Sequence, residues 1–318
     1  MQPYQPKHAA RTDKPYFQPV APSLPAHQPR HTKVSHKKKL ILILVLIVLL
    51  LPLAAGLIEP LILRVDETVW ECEDLPGEVG QLRIAYISDV HYGFFFSESR
   101  LAGLVSRINS LKADIVIFGG DYGKDSKTAL EFFEKLGGMT IHARYKILGV
   151  VGECDTDKTD AGMQLLSDAM KNAGVTPLIN TVEPIRIGSS TIYVAGIDDP
   201  ASGSPMLKEV AASVGQDDFV IFLAHNPVII REAQQNAWDR NGKLNWFDLA
   251  LFGHTHGGQF SLLEEPIGLT VDIEERYRTG WLTENRIPIL ISNGVGTSVI
   301  PYRLFCPPQI HQIDLHSN

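Results

Sequence analysis

The sequence predicts an α/β domain preceded by one transmembrane helix. From Gln81 onward, short runs rich in Val, Ile and Leu alternate with amphipathic segments of helical period, which is typical of an α/β fold. Before them, residues 40–58 form an uncharged apolar run of nineteen residues, close to the ~20 that span a bilayer as a helix. With 318 residues, the chain can also bury a sizeable core.

The first 39 residues differ in composition from the rest. They hold seven prolines, eight Lys or Arg and one acid, and they show no apolar periodicity, so we expect a disordered basic tail. The tail carries a net charge of +7 and the whole chain −7, which leaves −14 on the remainder. A domain that acidic is a poor candidate for binding nucleic acid. Three scattered cysteines also exclude a disulfide framework or a CxxC zinc site.

The apolar run at residues 40–58 is interpreted as a signal anchor. It has no polar face, which a core helix of this length would normally show, and it is longer than a typical signal-peptide core. Lys37, Lys38 and Lys39 precede it, whereas acidic residues follow it. The positive-inside rule then predicts a single-pass protein of the cell membrane, with a cytoplasmic tail and an extracytoplasmic C-terminal domain. We expect residues 59–80 to be a linker and residues 81–318 to be the domain.

The domain is predicted to contain the following elements. Strands are expected at residues 84–87, 115–118, 145–151, 184–187, 191–195, 219–223, 247–252, 288–291 and 309–315. Helices are expected at residues 98–111, 127–136 and 161–173, with a short one after residue 227. In the first of these helices, Ser97 is a suitable N-cap, and Leu101, Leu104, Val105 and Ile108 share one face.

Five of the predicted strands end at potential metal ligands: Asp89 with His91, Asp121, Glu153, His225, and His254 with His256. Each motif alone is weak, because an Asp at a strand end is commonly a turn residue or helix cap, and a bare HxH pair is commonly exposed to solvent. In open α/β sheets, ligands gather at the carboxyl ends of strands. Five such motifs at five strand ends therefore indicate one metal site.

The order of these motifs resembles the calcineurin-like metallophosphoesterases. More narrowly, the chain resembles a bacterial membrane-anchored branch whose domain closes with Gly-x-Gly-Thr-Ser, Pro-x-Arg and Pro-Pro, represented here around Gly294, Arg303 and Pro307. The resemblance runs from about residue 82 to residue 315. It implies a four-layer α/β/β/α sandwich with a dinuclear metal site at the strand ends.

The resemblance also implies a role for each ligand. Asp89, His91 and His256 would hold the first metal, Asp121 would bridge both, and His225 and His254 would hold the second. Two cations can clamp a phosphoryl oxygen and activate a water as nucleophile. Mixed histidine and carboxylate ligation suits Mn, Fe or Zn and does not choose among these divalent ions.

One motif departs from the family pattern, since Gly152-Glu153-Cys154-Asp155 stands where the family has Gly-Asn-His-Asp. Glu153 can still supply an oxygen, but it brings the formal charge of a two-ion site to zero, where asparagine would leave one positive charge. Cys154 replaces a histidine that the family uses at the phosphate, and general acid catalysis typically contributes about 10²–10⁴-fold. Two roles are open for Cys154: a thiolate that binds zinc, or a structural residue. Asp155, which would orient that histidine, keeps no expected role beyond capping the next turn.

The function expected from these residues is metal-dependent hydrolysis of a phosphodiester, pyrophosphate or phosphomonoester, with Asp121, Glu153, Cys154 and Asp155 at the reacting centre. The substrate is expected to be a phosphorylated small molecule or lipid, as some relatives in this branch act on nucleotide-linked lipids. The alternative is a catalytically impaired protein that keeps the fold and binds metal or phosphate in the cell envelope. The three phenylalanines at residues 94–96 are interpreted either as core or as an apolar lip beside the membrane.

Overall fold

The computed structural model describes residues 36–93, 95–259, 261–262, 265–266 and 273–317. Most of the predicted disordered tail, residues 1–35, and Phe94 of the predicted lip lie outside the described residues. The chain divides into two units, Met1–Ile47 and Val48–Asn318. The described part of the first unit is helical, and the second unit contains both sheets and every predicted ligand.

The secondary structure follows the predicted order. The helices are α1 (His36–Ile58), α2 (Glu98–Ser110), α3 (Ser126–Gly137), α4 (Asp160–Asn172), α5 (Leu207–Ala212) and α6 (Ile230–Gln235). The first seven strands are β1 (Arg64–Cys72), β2 (Gln81–Ile87), β3 (Ile115–Phe118), β4 (Lys146–Gly149), β5 (Thr176–Pro177), β6 (Thr181–Ile187) and β7 (Ser190–Gly196). The others are β8 (Phe219–Leu223), β9 (Leu249–Phe252), β10 (Ser261–Leu262), β11 (Glu265–Pro266), β12 (Gly280–Glu284), β13 (Ile287–Ile291) and β14 (Gln309–Ser317).

The strands form two large sheets that pack face to face. The first has the order β1-β14-β2-β3-β4-β5 and the second the order β12-β13-β9-β8-β7-β6. Within them, β2, β3, β4 and β5 run parallel, as do β7, β8, β9 and β13. The carboxyl ends of these parallel strands lie along one edge of each sheet.

Side-chain alternation along the strands produces the layers. In β2, Ile84 and Tyr86 belong to the core between the sheets, whereas Ala85 and Ile87 pack under α2, α3 and α4. A third cluster joins α5 and α6 to the outer face of the second sheet. Because successive side chains of a strand point to opposite faces, one fully apolar strand serves two layers. The mixed α/β fold with four layers, α/β/β/α, is therefore confirmed.

The segment predicted as a linker contributes a strand. Residues 64–72 form β1, which pairs in parallel with β14 at the edge of the first sheet. Its side chains are exposed or half-buried along its length, and its acidic residues obscure the apolar alternation that marks other strands. The linker assignment for residues 59–80 is corrected on this point, and the folded unit begins before residue 81.

Helix α1 lies in the segment His36–Leu61, which is long and apolar enough to cross a membrane. An 18-residue stretch of this segment has a mean hydropathy of 3.2 and almost no burial. Its described apolar side chains from Leu40 to Leu51 are about half exposed or more. Burying such a surface in lipid is strongly favourable. The length and composition expected of a membrane-spanning helix are thus present.

Candidate metal centre

The parallel strands bring all seven predicted ligands to one place. Asp89 follows β2, Asp121 follows β3 and Glu153 follows β4 in the first sheet, while His225 follows β8 and His254 follows β9 in the second. Their ligand atoms form overlapping groups whose members lie within 4.8 Å of one another. Since the two sheets pack face to face, loops distant in sequence converge at the shared edge.

Half-site one consists of Asp89, His91 and His256. The Nε2 atoms of the two histidines are 2.8 Å apart, and Nε2 of His256 is 3.6 Å from Oδ1 of Asp89. All three side chains are buried. Three potential ligand atoms therefore face a common point in the interior of the loop cluster.

Half-site two consists of Glu153, His225 and His254. One carboxylate oxygen of Glu153 is 3.0 Å from Nε2 of His225, and the other is 2.7 Å from Nδ1 of His254. The glutamate that replaces asparagine thus lies between the two histidines, and its longer side chain reaches both.

Asp121 lies between the half-sites. Its Oδ2 is 3.5 Å from Nε2 of His91 in half-site one and 3.6 Å from Nε2 of His225 in half-site two. Its Oδ1 accepts a hydrogen bond from the backbone N–H of Cys154, at 3.0 Å. One carboxylate therefore contacts both groups of ligands, as a bridging ligand must.

The donor set fits metal ions. Oδ2 of Asp89, Oε2 of Glu153, Nε2 of His225 and Nδ1 of His254 are buried and make no hydrogen bond of acceptable geometry among the described residues, although buried polar atoms nearly always have partners. The last three have close contacts of the ion-pair type. Ligand atoms ~2.1 Å from a shared ion are roughly 3.0–3.4 Å apart at tetrahedral or octahedral angles. The contacts of 3.0 Å between Glu153 and His225 and 3.6 Å between His256 and Asp89 are close to that range.

The ligand loops have an unusual backbone. Asp89, His91, Asp121, His254 and His256 all have left-handed φ, between 46° and 72°, a conformation that is uncommon outside glycine. Such residues typically cost about 1–3 kcal/mol each and cluster at functional sites. Next to Asp121, a Cβ on Gly152 would collide with the Asp121 carboxylate. The close approach of the β3 and β4 loops thus requires a glycine at position 152.

His225 is oriented as a ligand by its second ring nitrogen. Its Nδ1 is 2.7 Å from the carbonyl oxygen of Gly119, so Nδ1 carries the donated proton and Nε2 faces the carboxylates. Burial lowers the pKa of His225, but Asp121 and Glu153 outweigh it and hold that pKa well above its usual value. The same two carboxylates would attract a metal cation to Nε2.

Asp155 has a role that the sequence did not predict. Its buried carboxylate accepts hydrogen bonds from the backbone N–H groups of Asp121 at 2.8 Å, Tyr122 at 2.7 Å and Gly152 at 2.9 Å. It therefore ties the β3 loop to the β4 loop from behind the ligands. Asp155 positions Asp121 and does not face the reacting centre, and the Gly-x-x-Asp spacing was the available signal.

Cys154 lies at the open side of half-site one. Its Sγ belongs to a possible ligand group with His91 and Asp121, and its side chain is only partly buried. Burial first, and then the carboxylates of Asp121 and Glu153, raise the pKa of the thiol well above its usual value. In these surroundings the side chain is a neutral thiol, which is a weak hydrogen-bond donor.

Arg303 lies behind half-site one. It is fully buried, and its guanidinium donates to the carbonyl oxygens of Asn293, Gly296 and Cys306 at 2.6–3.0 Å. Its Nη2 is also 3.2 Å from Nδ1 of His256. Burial, the neighbouring His91 and then Arg303 hold the pKa of His256 well below its usual value. The isolated arginine of the Pro-x-Arg motif was visible in the sequence, but its contact with a ligand was not.

A protein-family model described as calcineurin-like phosphoesterase matches residues 82–258. This range contains all seven ligand residues and both loops that Asp155 joins. It covers more than half of the chain.

Three relatives extend the comparison. The uncharacterized metallophosphoesterase YkuE of Bacillus subtilis is 25% identical over 271 residues, covering 83% of this chain and 89% of that protein. The phosphodiesterase YaeI of Escherichia coli is 26% identical over 245 residues, covering 73% of this chain and 82% of that protein. A transmembrane protein with metallophosphoesterase domain from Danio rerio is 25% identical over 256 residues, covering 76% of this chain and 55% of that protein.

Proposed function

We propose that this chain, which belongs to the calcineurin-like phosphoesterase family, hydrolyses a phosphorylated substrate with two divalent ions, Mn, Fe or Zn, held at the two half-sites. Members of the family hydrolyse phosphoester bonds with metal ions. The observation that carries the proposal is the convergence of seven ligands, five of them buried and two partly buried, four of which have an atom with no hydrogen-bond partner among the described residues. The proposed substrate is a phosphorylated small molecule or lipid with a diester, pyrophosphate or monoester bond.

Each side chain has a distinct part in the proposed site. Asp89, His91 and His256 hold one ion, Glu153, His225 and His254 hold the other, and Asp121 contacts both. When bound, the ions supply charge that polarises a phosphoryl oxygen and activates the attacking water. Asp155 fixes the relative position of Asp121 and Gly152 through their backbone N–H groups.

Glu153 changes the balance between cation binding and anion binding. As a carboxylate in contact with both His225 and His254, it strengthens attraction for a cation at half-site two. The same negative charge weakens attraction for a phosphate anion. We therefore expect tight ion binding combined with slower turnover than an asparagine at this position would give.

Cys154 narrows the proposed reaction. A neutral thiol donates a proton poorly, so the leaving group departs with little help from a general acid. Alkoxide leaving groups need that help far more than phosphate or phenolate groups, which are weaker bases. Pyrophosphates and activated diesters are therefore favoured over simple alkyl phosphomonoesters.

The proposed location follows from α1. A single apolar helix preceded by Lys37, Lys38 and Lys39 favours a protein anchored in the cell membrane with the metal centre outside the cytoplasm. A substrate from the envelope, or a nucleotide-linked lipid, would be within reach of such an enzyme. Extraction by carbonate at high pH would remove a peripheral protein and leave an anchored one in the membrane.

The deciding experiment pairs metal content with turnover on the full chain purified in detergent. Mn, Fe and Zn are quantified, and hydrolysis of bis-p-nitrophenyl phosphate and p-nitrophenyl phosphate is measured. We expect two ions per chain and turnover of the diester that His254→Ala abolishes. The double variant Glu153→Asn/Cys154→His restores the family residues and should raise turnover by about 10²-fold or more.

Two results would contradict the proposal. A chain that holds no more than adventitious metal would exclude the site itself. A chain that holds metal but turns over neither substrate, and gains activity only in the double variant, would instead be the catalytically impaired metal-binding protein.

A further inference from the structure

The end of α1 is fastened to a loop of the folded unit, residues 302–306. The hydroxyl of Tyr302 donates to the carbonyl oxygen of Pro52, and the backbone N–H of Arg303 donates to that of Gly56, each at 2.9 Å. The carboxylate of Glu59 accepts from the N–H groups of Phe305 and Cys306 at 2.9 and 2.6 Å. These bonds hold the helix end against this loop.

Gly56 makes the contact possible. It is the buried residue of an otherwise exposed helix, and a Cβ at this position would collide with the ring of Tyr302. Tyr302 therefore reaches one to two turns back along α1 from its end at Ile58. Tyrosine is enriched at membrane–water interfaces, and Tyr302 lies beside the C-terminal end of the proposed membrane helix, where such an interface is expected.

Exposed apolar side chains continue the surface beyond the helix. Val299, Ile300 and Phe305 are 66%, 42% and 67% exposed, and all three lie within or next to the loop that binds α1. Leu61, just after the helix, is 68% exposed. Apolar surface that is continuous with a membrane-spanning helix is suited to contact with lipid.

A cavity of about 330 Å³ opens beside this surface, within the size range of small-molecule sites. Its apolar walls are formed by Leu61 and Leu63 after α1, Phe96 and Leu104 at α2, and Val295 after β13. From the sequence, residues 94–96 are interpreted either as core or as an apolar lip. Phe96 is buried in the cavity wall, whereas Phe95 is partly exposed.

Two arginines of α2 complete the cavity. Arg100 donates to the carbonyl oxygens of Phe95 and Pro60, each at 2.6 Å, and lies over the Phe96 ring. Arg107 lines the same cavity and is exposed. Within the described part of the chain, neither guanidinium is paired with a carboxylate. Two uncompensated positive charges thus flank apolar walls.

We propose that this cavity binds an anionic phospholipid, with its phosphate at Arg100 and Arg107 and its glycerol and upper acyl chains along the apolar walls. The charge complementarity is that of a guanidinium with a phosphate diester, and the bonded end of α1 places the cavity where lipid headgroups lie. The inference rests on the proposed membrane anchoring. It does not rest on metal binding or turnover, because the residues involved are not ligands of either half-site.

Native mass spectrometry of the full chain, released from detergent with phosphatidylglycerol or phosphatidylcholine added, tests the inference. The chain should retain phosphatidylglycerol in preference to phosphatidylcholine. Lys37, Lys38 and Lys39 can also attract anionic lipid, so lipid bound to the unaltered chain is not diagnostic. The diagnostic result is that a variant with an altered cavity binds about one phosphatidylglycerol fewer per chain, which is the capacity of a single cavity of this size.

Gly103→Leu provides the sharpest variant, because Gly103 lines the cavity and a Cβ there meets no atom within 4 Å. Leucine would fill the cavity without removing any charge, and it favours the helix more than glycine does. Ala102→Leu, at an exposed neighbouring position of α2, is the matched control and should retain the lipid. Arg100→Gln/Arg107→Gln should lose it, whereas Arg186→Gln, which removes an exposed arginine from β6, should not.

Equal retention of the two lipids, or retention of phosphatidylglycerol that Gly103→Leu leaves unchanged, would overturn the inference. A chain that carbonate extracts from membranes would instead overturn the proposed anchoring. The two failures are therefore distinguishable.

Discussion

The two half-sites contain similar ligands but opposite electrostatic surroundings. His256 in half-site one and His225 in half-site two are both buried, and burial lowers the pKa of each. The net shifts nevertheless have opposite signs, because Arg303 and His91 lie beside His256, whereas Asp121 and Glu153 lie beside His225. Because burial lowers the pKa of both, neighbouring charge accounts for the difference between the two ligands.

The backbone shows the same contrast. All three ligands of half-site one have left-handed φ, while of the three in half-site two, all of them described, only His254 does. Half-site one also has the buried guanidinium of Arg303 behind it, and this positive charge opposes ion binding. Each half has one carboxylate of its own, Asp89 or Glu153, so Glu153 gives half-site two a negative charge that an asparagine would not supply and that favours ion binding. We infer that the substitution of glutamate for asparagine makes half-site two the tighter of the two.

The largest effect is expected from two single variants, each of which removes one ligand from one half-site. His91→Ala and His254→Ala should each lower turnover by about 10³-fold or more, because a two-ion site contributes several kcal/mol to the transition state. Their metal contents should differ, since His91→Ala leaves half-site two intact and should keep one tightly held ion. His254→Ala should keep its remaining ion only weakly, as measured by dialysis followed by metal analysis.

His142→Ala, at an exposed position between α3 and β4, serves as the control and should keep both ions and full turnover. Equal ion retention by His91→Ala and His254→Ala would show that the Glu153 carboxylate does not create an asymmetry.

A smaller effect is expected from the residue that links the loops. Asp155→Asn replaces an acceptor-only carboxylate by an amide whose NH₂ would face the backbone N–H groups of Asp121, Tyr122 or Gly152. Partners behind metal ligands typically contribute 10–100-fold to metal affinity, so we expect a loss of about that size in titrations with Mn²⁺ or Zn²⁺. Because Asp121 serves both half-sites, both affinities should fall together.

Asp157→Asn is the matched control, since Asp157 is in the same loop but is exposed and, among the described residues, accepts hydrogen bonds from Thr159 alone. A loss confined to half-site two would mean that Asp155 supports the Glu153 loop alone. Unchanged metal affinities at both half-sites would show that Asp155 does not support the metal ligands.

The ligands could be predicted from the sequence because each lies within four residues of the end of an apolar strand. Their convergence followed from a general property of parallel strands, and the four layers followed from the family resemblance. The contacts of Asp155 and Arg303 could not be predicted, because they depend on how distant loops approach each other. Asp155 bonds to residues 34 positions away, and Arg303 contacts a ligand 47 positions away.

The elements that the sequence did not reveal share a physical cause. Strand β1 is an edge strand with acidic side chains, and α5 has only six residues, so neither shows an apolar pattern long enough to be distinguished from a loop. Edge strands bury less surface than central ones, and their sequences are correspondingly less constrained. Deleting residues 64–72 as part of a linker would remove one of the two strands that pair with β14.

The smallest effect expected from the asymmetry is a difference in pH dependence. The pKa of His225 is raised by Asp121 and Glu153, so without metal its imidazole stays protonated across neutral pH, and an ion must displace that proton. Affinity at half-site two should therefore rise with pH, by about tenfold per unit while one proton is displaced. The pKa of His256 is lowered, so its nitrogen is already available and affinity at half-site one should change less.

Calorimetric titration of His91→Ala and His254→Ala in buffers of different ionisation enthalpy counts the released protons for each half separately. Glu153→Asn should move the rise at half-site two to lower pH, because it removes one of the two carboxylates that retain the proton, and equal slopes for the two halves would contradict the asymmetry.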